Sequence, residues 1–275
     1  MEQKDRTREL AAFARVLDVM DELRAKCPWD AKQTIESIRP LTIEETYELS
    51  DAILSNDMPN VCKELGDIMM HIVFYSLIAK EGNKFDIVEV MDKMCDKLIY
   101  RHPHVFSTEK VKDAEQVLQN WEQLKTKEKD GNKRILSGVP ESLPAVIKAY
   151  RMQDKARAVG FDWNKKEDIW AKVKEEVEEL EVELGKLSGA KDSLGEEKYK
   201  DLAEKELGDL MFSVINAARL YDLNPDSALE ATCKKFRSRF TYVEEHTIRE
   251  GKNLREMTLE QMDELWNQAK QLEKQ

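Results

Sequence analysis

The acidic residues of two predicted helices have the types and the spacing of metal ligands. Apolar side chains recur at helical intervals from 207 to 218, so this segment predicts one amphipathic helix. Glu206 and Asp209 stand one turn apart at the margin of this apolar stripe, and Glu176 and Glu179 stand one turn apart in an upstream helix. Side chains at such a margin face the groove between packed helices, so we expect the four carboxylates to converge.

Converging carboxylates repel one another strongly unless a cation lies between them. Hard oxygen ligands without thiolate or imidazole suit Mg²⁺ or Mn²⁺. We therefore predict a metal site formed by Glu176, Glu179, Glu206 and Asp209. The alternative is a solvated face, because the glutamate-rich helices of an acidic chain usually point into water.

Repetition favours the metal site. Residues 44–49 read E-E-x-x-E-L and residues 63–67 read K-E-L-G-D, and both patterns return in the same order at 175–180 and 205–209. The repeat indicates two related domains, which we place at residues 1–130 and 145–275, with a linker at 131–144 that contains Gly, Ser and Pro. It also supplies a second candidate metal site, formed by Glu45, Glu48, Glu64 and Asp67.

The composition predicts an all-α protein. Charged residues make up 36% of the 275 residues, whereas there are only 10 glycines and 7 prolines, a balance typical of helical bundles. The net charge of −11 argues against general nucleic-acid binding. Four cysteines without C-x-x-C spacing indicate reduced, mostly buried thiols of a cytoplasmic protein. The charged N-terminus and the lack of a long apolar run predict no signal peptide and no membrane association.

A basic cluster follows the carboxylate helices in the chain. Lys235, Arg237 and Arg239 lie within five residues of one another. A single cation there would most simply balance a helix dipole. Three cations near four anions are more typical of a phosphate site, in which a metal ion and the cations share the charge of a polyphosphate.

Several motifs together resemble a known family. They are the doubled carboxylate pattern, the Gly-Phe-Asp-Trp turn at 160–163, the Lys-Phe-x-x-Arg-Phe segment at 235–240 and the terminal Trp-x-x-x-Lys at 266–270. In this combination the chain resembles MazG, the nucleoside triphosphate pyrophosphohydrolase family. The resemblance implies two tandem all-α bundle domains, an intertwined homodimer and Mg²⁺-dependent hydrolysis of nucleoside triphosphates, ATP included, to monophosphate and pyrophosphate.

The resemblance also implies roles for individual residues, with the C-terminal copy as the active one. The metal ligands are the four carboxylates of the second domain, and the catalytic residues are Glu176, Glu206 and, from the first domain, Lys125. The substrate contacts are Lys172, Glu175, Lys205, Lys235, Arg237, Arg239 and Trp266.

The two copies differ beside the carboxylates. Polar residues of the second copy are replaced in the first, and the pairs are Asn216 and Phe74, Ser213 and His71, and Glu183 and Ala52. Because polar neighbours orient metal ligands, we expect a first domain that is weakly active or mainly structural.

We predict a nucleoside triphosphate diphosphatase in which water attacks the α-phosphorus directly, because no nucleophilic side chain accompanies the carboxylates. Stacking of the base on Trp266 would give broad base tolerance. A di-iron bundle is the rival enzyme class, but it would need an E-x-x-H motif that these helices lack. The rival outside enzymes is a helical interaction or regulatory protein with solvated acidic faces.

Overall fold

The computed structural model describes residues 5–108, 110–113, 116–117, 120–121, 124, 134–249, 251 and 253–273. These residues form α-helices joined by turns and short 3₁₀ segments, and no β-strand occurs among them. The chain divides into two compact units, residues 1–117 and 118–275. The all-α prediction is therefore confirmed. The predicted linker at 131–144 lies partly outside the described residues, and its boundaries stay a prediction.

Unit 1 contains five described helices, and α2 and α3 pack along each other. Their bounds are α1 Thr7–Lys26, α2 Ile35–Leu54, α3 Met58–Glu81, α4 Ile87–Arg101 and α5 Pro103–Phe106.

Unit 2 repeats this order, and its α7 and α8 form the corresponding pair. Its described helices are α6 Ala145–Arg157, α7 Ile169–Ser188, α8 Ser193–Leu220, α9 Pro225–Arg249 and α10 Leu259–Leu272.

Side-chain caps set the start of three of the four helices that carry the carboxylates, α2, α3 and α8. Thr34 accepts a hydrogen bond from the backbone N–H of Ser37 at the start of α2, and Asp57 caps α3 in the same way through Asn60. Asp192 accepts from the N–H of Gly195, so α8 begins at Ser193, well before the apolar stripe at 207–218 that predicts this helix. The charged residues between 196 and 200 favour helix, which explains the longer element.

Periodicity predicted which residues share a face of α8, but not which face is covered. Leu207, Met211 and Val214 belong to the predicted apolar stripe, yet they are 45%, 49% and 47% exposed. The helix instead buries small side chains such as Ala203 and Ala217. Leu65, Met69 and Ile72 occupy the same register in α3 and are also exposed.

The four cysteines are free thiols, as expected, but the prediction that they are mostly buried is wrong. Cys62, Cys95 and Cys233 are exposed and Cys27 is half-buried. Cys62 lies on α3, Cys95 on α4 and Cys233 on α9, at positions of these helices that face solvent. None of the described helices combines the length and the apolar character that a bilayer crossing requires.

Candidate metal and nucleotide site

Three of the predicted ligands in unit 2 converge. Glu176 and Glu179 project from α7 and Glu206 projects from α8, and one carboxylate oxygen of each lies within 4.8 Å of the others. Glu176 is 4% exposed, whereas Glu206 is half-buried and Glu179 exposed. We call these three residues the unit 2 cluster. Asp209 stands outside this 4.8 Å group, but it lines the same cavity as Glu176 and Glu179.

The electrostatics of the unit 2 cluster fit a cation. Partial burial, followed by the negative charges of Glu176 and Glu206, raises the pKa of the Glu179 carboxyl. Lys172 lies 2.5 Å from Glu176 and 3.0 Å from Glu175, and these hydrogen bonds raise the pKa of its ammonium group. Lys172 pairs with two carboxylates, Glu175 and Glu176, so the group that also contains Glu179 and Glu206 stays negatively charged. An all-oxygen donor set with excess charge suits Mg²⁺ or Mn²⁺.

Unit 1 holds the matching group. Oxygens of Glu45, Glu48 and Glu64 lie within 4.8 Å of one another, and we call these residues the unit 1 cluster. The Nζ of Lys63 is 2.8 Å from Glu64, 3.6 Å from Asp67 and 3.9 Å from Glu48. Burial, followed by the charges of Asp67 and Glu48, raises the pKa of Glu45. A lysine ammonium therefore stands among the carboxylates that a metal ion would use.

A cavity of about 1060 Å³ opens beside the unit 2 cluster. Glu176, Glu179 and Asp209 line one part of it. Asn216 and Arg219 lie two to three turns further along α8, so the cavity extends along the helix away from the carboxylates. Aromatic side chains form much of the remaining wall, namely Phe161, Trp163 and Phe212.

The sequence predictions did not include a buried ion pair in this cavity. Arg219, 6% exposed, donates to both carboxylate oxygens of Asp162, with Nη1 3.1 Å from Oδ2. Its Nε and Nη2 also donate to the Oδ1 of Asn216 at 3.1 and 2.9 Å. Asp162 belongs to the Gly-Phe-Asp-Trp turn, but no spacing pattern in the sequence connects that turn to Arg219.

Two of the predicted substrate contacts, Arg239 of α9 and Trp266 of α10, lie beside each other. Arg239 pairs with Glu273 at 3.1 Å, and its guanidinium lies 5.5 Å from the ring centre of Trp266. Phe236 packs on the same indole at 5.1 Å. Lys235 and Arg237 are exposed.

These residues lie apart from the cavity. Among the described residues that line it, none comes from α9 or α10. Lys205 pairs with Asp201 at 2.7 Å, whereas Lys172 pairs with Glu175, so these two predicted contacts belong to different ion pairs. Lys125 lies outside the described residues.

Comparison with known proteins finds the same family in both units. The family described as the MazG nucleotide pyrophosphohydrolase domain matches residues 33–106 and 164–243, once in each unit. The chain is 37% identical over 264 residues to the nucleoside triphosphate pyrophosphohydrolase of Escherichia coli K12, covering 94% of this chain and 97% of that protein.

Two further relatives extend the comparison. The Thermotoga maritima nucleoside triphosphate pyrophosphohydrolase/pyrophosphatase MazG is 37% identical over 94% of this chain and 95% of its own length. The uncharacterized protein YabN of Bacillus subtilis is 40% identical over 95% of this chain and 52% of its own length. The predictions of a tandem architecture and of a hydrolase acting on phosphoric anhydrides are confirmed. With two carboxylate clusters in register and a family match in each unit, the chain belongs to the MazG nucleotide pyrophosphohydrolase family.

Proposed function

We propose that unit 2 hydrolyses nucleoside triphosphates to nucleoside monophosphate and pyrophosphate with the help of Mg²⁺ or Mn²⁺. The observation that carries this proposal is a cluster of three carboxylates at the edge of a cavity large enough for a nucleotide. The names of the Escherichia coli and Thermotoga maritima relatives support the same reaction.

The unit 2 cluster would hold the divalent ion, with Asp209 as a further ligand. A bound ion would offset the carboxylate charge and polarise phosphate oxygens. Lys172 would contact a phosphate once that ion relieves its pairing with Glu176. The other contacts that the resemblance implies do not line the cavity, so they stay predictions; they are Glu175, Lys205, Lys235, Arg237, Arg239 and Trp266. The contact of Lys125, which lies outside the described residues, also stays a prediction.

Direct attack by water is the proposed route. The hydroxyl of Ser213 lines the cavity, but it is 6% exposed and donates to the carbonyl of Leu210 at 2.9 Å. A serine nucleophile needs a neighbouring base that accepts its proton, and this hydroxyl is already committed to a backbone carbonyl. Water is therefore the proposed nucleophile, and Glu176 or Glu206 would orient it.

Hydrolysis in ¹⁸O-water tests the position of attack. We expect monophosphate and pyrophosphate as products, with the label in the monophosphate, because water is proposed to attack the α-phosphorus. Label in orthophosphate with diphosphate as co-product would overturn the proposed reaction.

Metal binding has a test that is independent of turnover. A ligand that binds only the folded state raises the melting temperature. Millimolar Mg²⁺ is therefore expected to stabilise the wild-type chain and to stabilise Glu206→Gln less. Equal melting temperatures with and without the ion would favour the rival, a protein with merely solvated acidic faces.

We also propose that two chains associate. The exposed stripe of Leu207, Met211 and Val214, together with its counterpart in unit 1, supports this proposal. Contiguous apolar surface of this kind marks interaction sites. Sedimentation analysis at micromolar concentration is expected to give twice the chain mass, and a monomeric mass would contradict the proposal.

A further inference from the structure

Both cations that line the cavity are already paired. Among the described lining residues these cations are Lys172, which contacts Glu176 beside the cluster, and Arg219, which contacts Asp162 at the far end. The Arg219 side chain is 4% exposed and that of Asp162 is 19% exposed. Polyphosphates are bound by unpaired cations and metal ions. The far end therefore suits the uncharged part of a nucleotide rather than its phosphates.

Two amide side chains at the far end have a fixed orientation. The Nε2 of Gln153 donates to the carbonyl of Phe212 at 2.8 Å, which leaves its Oε1 as an acceptor. The Oδ1 of Asn216 accepts two hydrogen bonds from Arg219, which leaves its Nδ2 as a donor. A flip of either amide would break these hydrogen bonds, because a guanidinium cannot accept and a carbonyl cannot donate.

The Oε1 of Gln153 has no hydrogen-bond donor among the described residues. Gln153 is 6% exposed, and no described residue donates to its Oε1. A buried acceptor without a partner is unfavourable, and most such groups in folded proteins are satisfied. Because Gln153 lines the cavity, an N–H group of a cavity ligand is the natural partner.

The shape of the far end fits a flat ligand. Phe161 is 82% exposed and lines the cavity with Trp163 and Phe212. Aromatic side chains of this kind stack on bases. Asn216 is seven residues, two helical turns and about 10 Å, from Asp209 on the same face of α8. A phosphate near Asp209 would leave room for a sugar before the base reaches Asn216.

We infer that the far end of the cavity is a nucleobase subsite, in which Gln153 accepts a hydrogen bond from the base and Asn216 donates one. The inference rests on the proposed function for the binding of the phosphates. The lactam edges of guanine and uracil present an outer acceptor and an inner N–H, whereas the amidine edges of adenine and cytosine present the reverse order. Because the donor and the acceptor are fixed, only one of the two classes of base can form both hydrogen bonds. We expect the site to prefer that class, although bases of either class can stack on the aromatic side chains.

The sharpest variant is Asn216→Asp. It has the same size and keeps an acceptor for Arg219, but it replaces the amide donor with a second acceptor. Asn164→Asp is the matched control, because Asn164 lines the same cavity and the substitution adds the same charge.

The measurement is kcat/KM for GTP, UTP, ATP and CTP with Mg²⁺. In the wild type we expect the lactam and amidine classes to differ about tenfold, the usual effect of one mismatched hydrogen bond. Asn216→Asp is expected to abolish or reverse this ratio, and Asn164→Asp is expected to keep it. A merely structural role of Asn216 would lower all four values equally and would overturn the inference, as would equal values in the wild type.

A second measurement needs no variant and covers the case in which Asn216→Asp does not fold. The analogue is taken from the class of base that the wild type prefers, because that class gives Gln153 its N–H. Purine riboside triphosphate lacks the amino group of ATP, and 2-aminopurine riboside triphosphate lacks the N1–H of GTP. The kcat/KM of the analogue is expected to be about tenfold lower than that of its parent, ATP or GTP. Equal values for the analogue and its parent would contradict the hydrogen bond to Gln153.

Direct binding separates this inference from the proposed reaction. Guanosine and adenosine carry no phosphate, and ligand-observed NMR with the full chain reports whether either binds. If the wild type hydrolyses no triphosphate, the proposed function fails, yet unequal nucleoside binding that Asn216→Asp alters still supports the subsite. If triphosphates are hydrolysed but neither nucleoside binds, the subsite fails alone.

Discussion

The two units carry the same carboxylate motif, but they differ in the cation that stands beside it. In unit 1, Lys63 contacts Glu64 and lies within 3.9 Å of two further carboxylates. Lys205 has the same register in unit 2, and it pairs instead with Asp201. Pro59 occupies the register of Asp201 in unit 1, so Lys63 has no such partner on the preceding turn.

The space next to each cluster differs as well. Phe74 of unit 1 is 3% exposed and packs in a core with Met20, Ile38 and Val73. In unit 2 the position that corresponds to Phe74 is occupied by Asn216, which lines the large cavity. The comparison teaches that equal ligand residues do not make equal sites. The neighbours decide which cation stands beside a cluster, Lys63 in unit 1 and Lys172 in unit 2, and whether a substrate has room beside it.

The largest expected difference between the units is catalytic. Glu206→Gln is expected to lower kcat/KM by more than about 100-fold, because loss of a ligand costs at least as much as loss of a residue that orients one. Glu64→Gln, at the matching position, is expected to keep most of the activity. Steady-state kinetics of both full-length variants compare the units directly. If Glu64→Gln is folded but inactive, the reaction takes place in unit 1 and not in unit 2.

The second prediction concerns the packed core around Phe74, which unit 1 has where unit 2 has its cavity. Phe74→Ala is expected to destabilise unit 1 by about 3–5 kcal/mol, because it leaves a void in a packed core. Phe161→Ala removes an aromatic ring from the cavity wall of unit 2, where the side chain is 82% exposed. It is expected to change the free energy of unfolding by only about 0.5 kcal/mol. Urea denaturation measures the free energy of unfolding of both variants. Similar decreases for Phe74→Ala and Phe161→Ala would contradict the predicted difference between the units.

The third prediction concerns the lysine in the unit 1 cluster. Lys63→Met is expected to raise the Mn²⁺ affinity of unit 1 about three- to tenfold, because the ion no longer competes with an ammonium group. Titration followed by electron paramagnetic resonance in a Glu206→Gln background isolates that unit.

Lys205→Met in a Glu64→Gln background is the matched control, because Asp201 already holds Lys205. We expect no change in the affinity of unit 2. An unchanged affinity of unit 1 in Lys63→Met would show that Lys63 is not a competitor.

The smallest expected effect is a pH dependence of the metal-free fold. Partial desolvation and the negative charges of Glu176 and Glu206 raise the pKa of the Glu179 carboxyl above its ordinary value of 4.5. The folded state therefore binds this proton more readily than the unfolded state, and stability falls as the pH rises from 4.5 through the folded pKa. Glu179→Gln is expected to lack this part of the slope. Melting temperatures with a chelator between pH 5 and 7 test it, and parallel curves would contradict it.

The local sequence alone determined the helices and the position of the carboxylates along them. Apolar periodicity predicted the helix that carries Glu206 and Asp209, because this signal acts within a few residues. The doubled motif identified the residues of both clusters, since a spacing of three puts two side chains on one helix face.

Only the tertiary structure decided what surrounds those carboxylates. The pairing of Arg219 with Asp162 joins residues 57 positions apart, and the contact of Gln153 with Phe212 joins residues 59 apart. Such contacts depend on how helices cross, which local propensity does not encode. The same reason explains why the stripe of Leu207, Met211 and Val214 is exposed. A helical period states which residues share a face, and packing decides which face meets a neighbour.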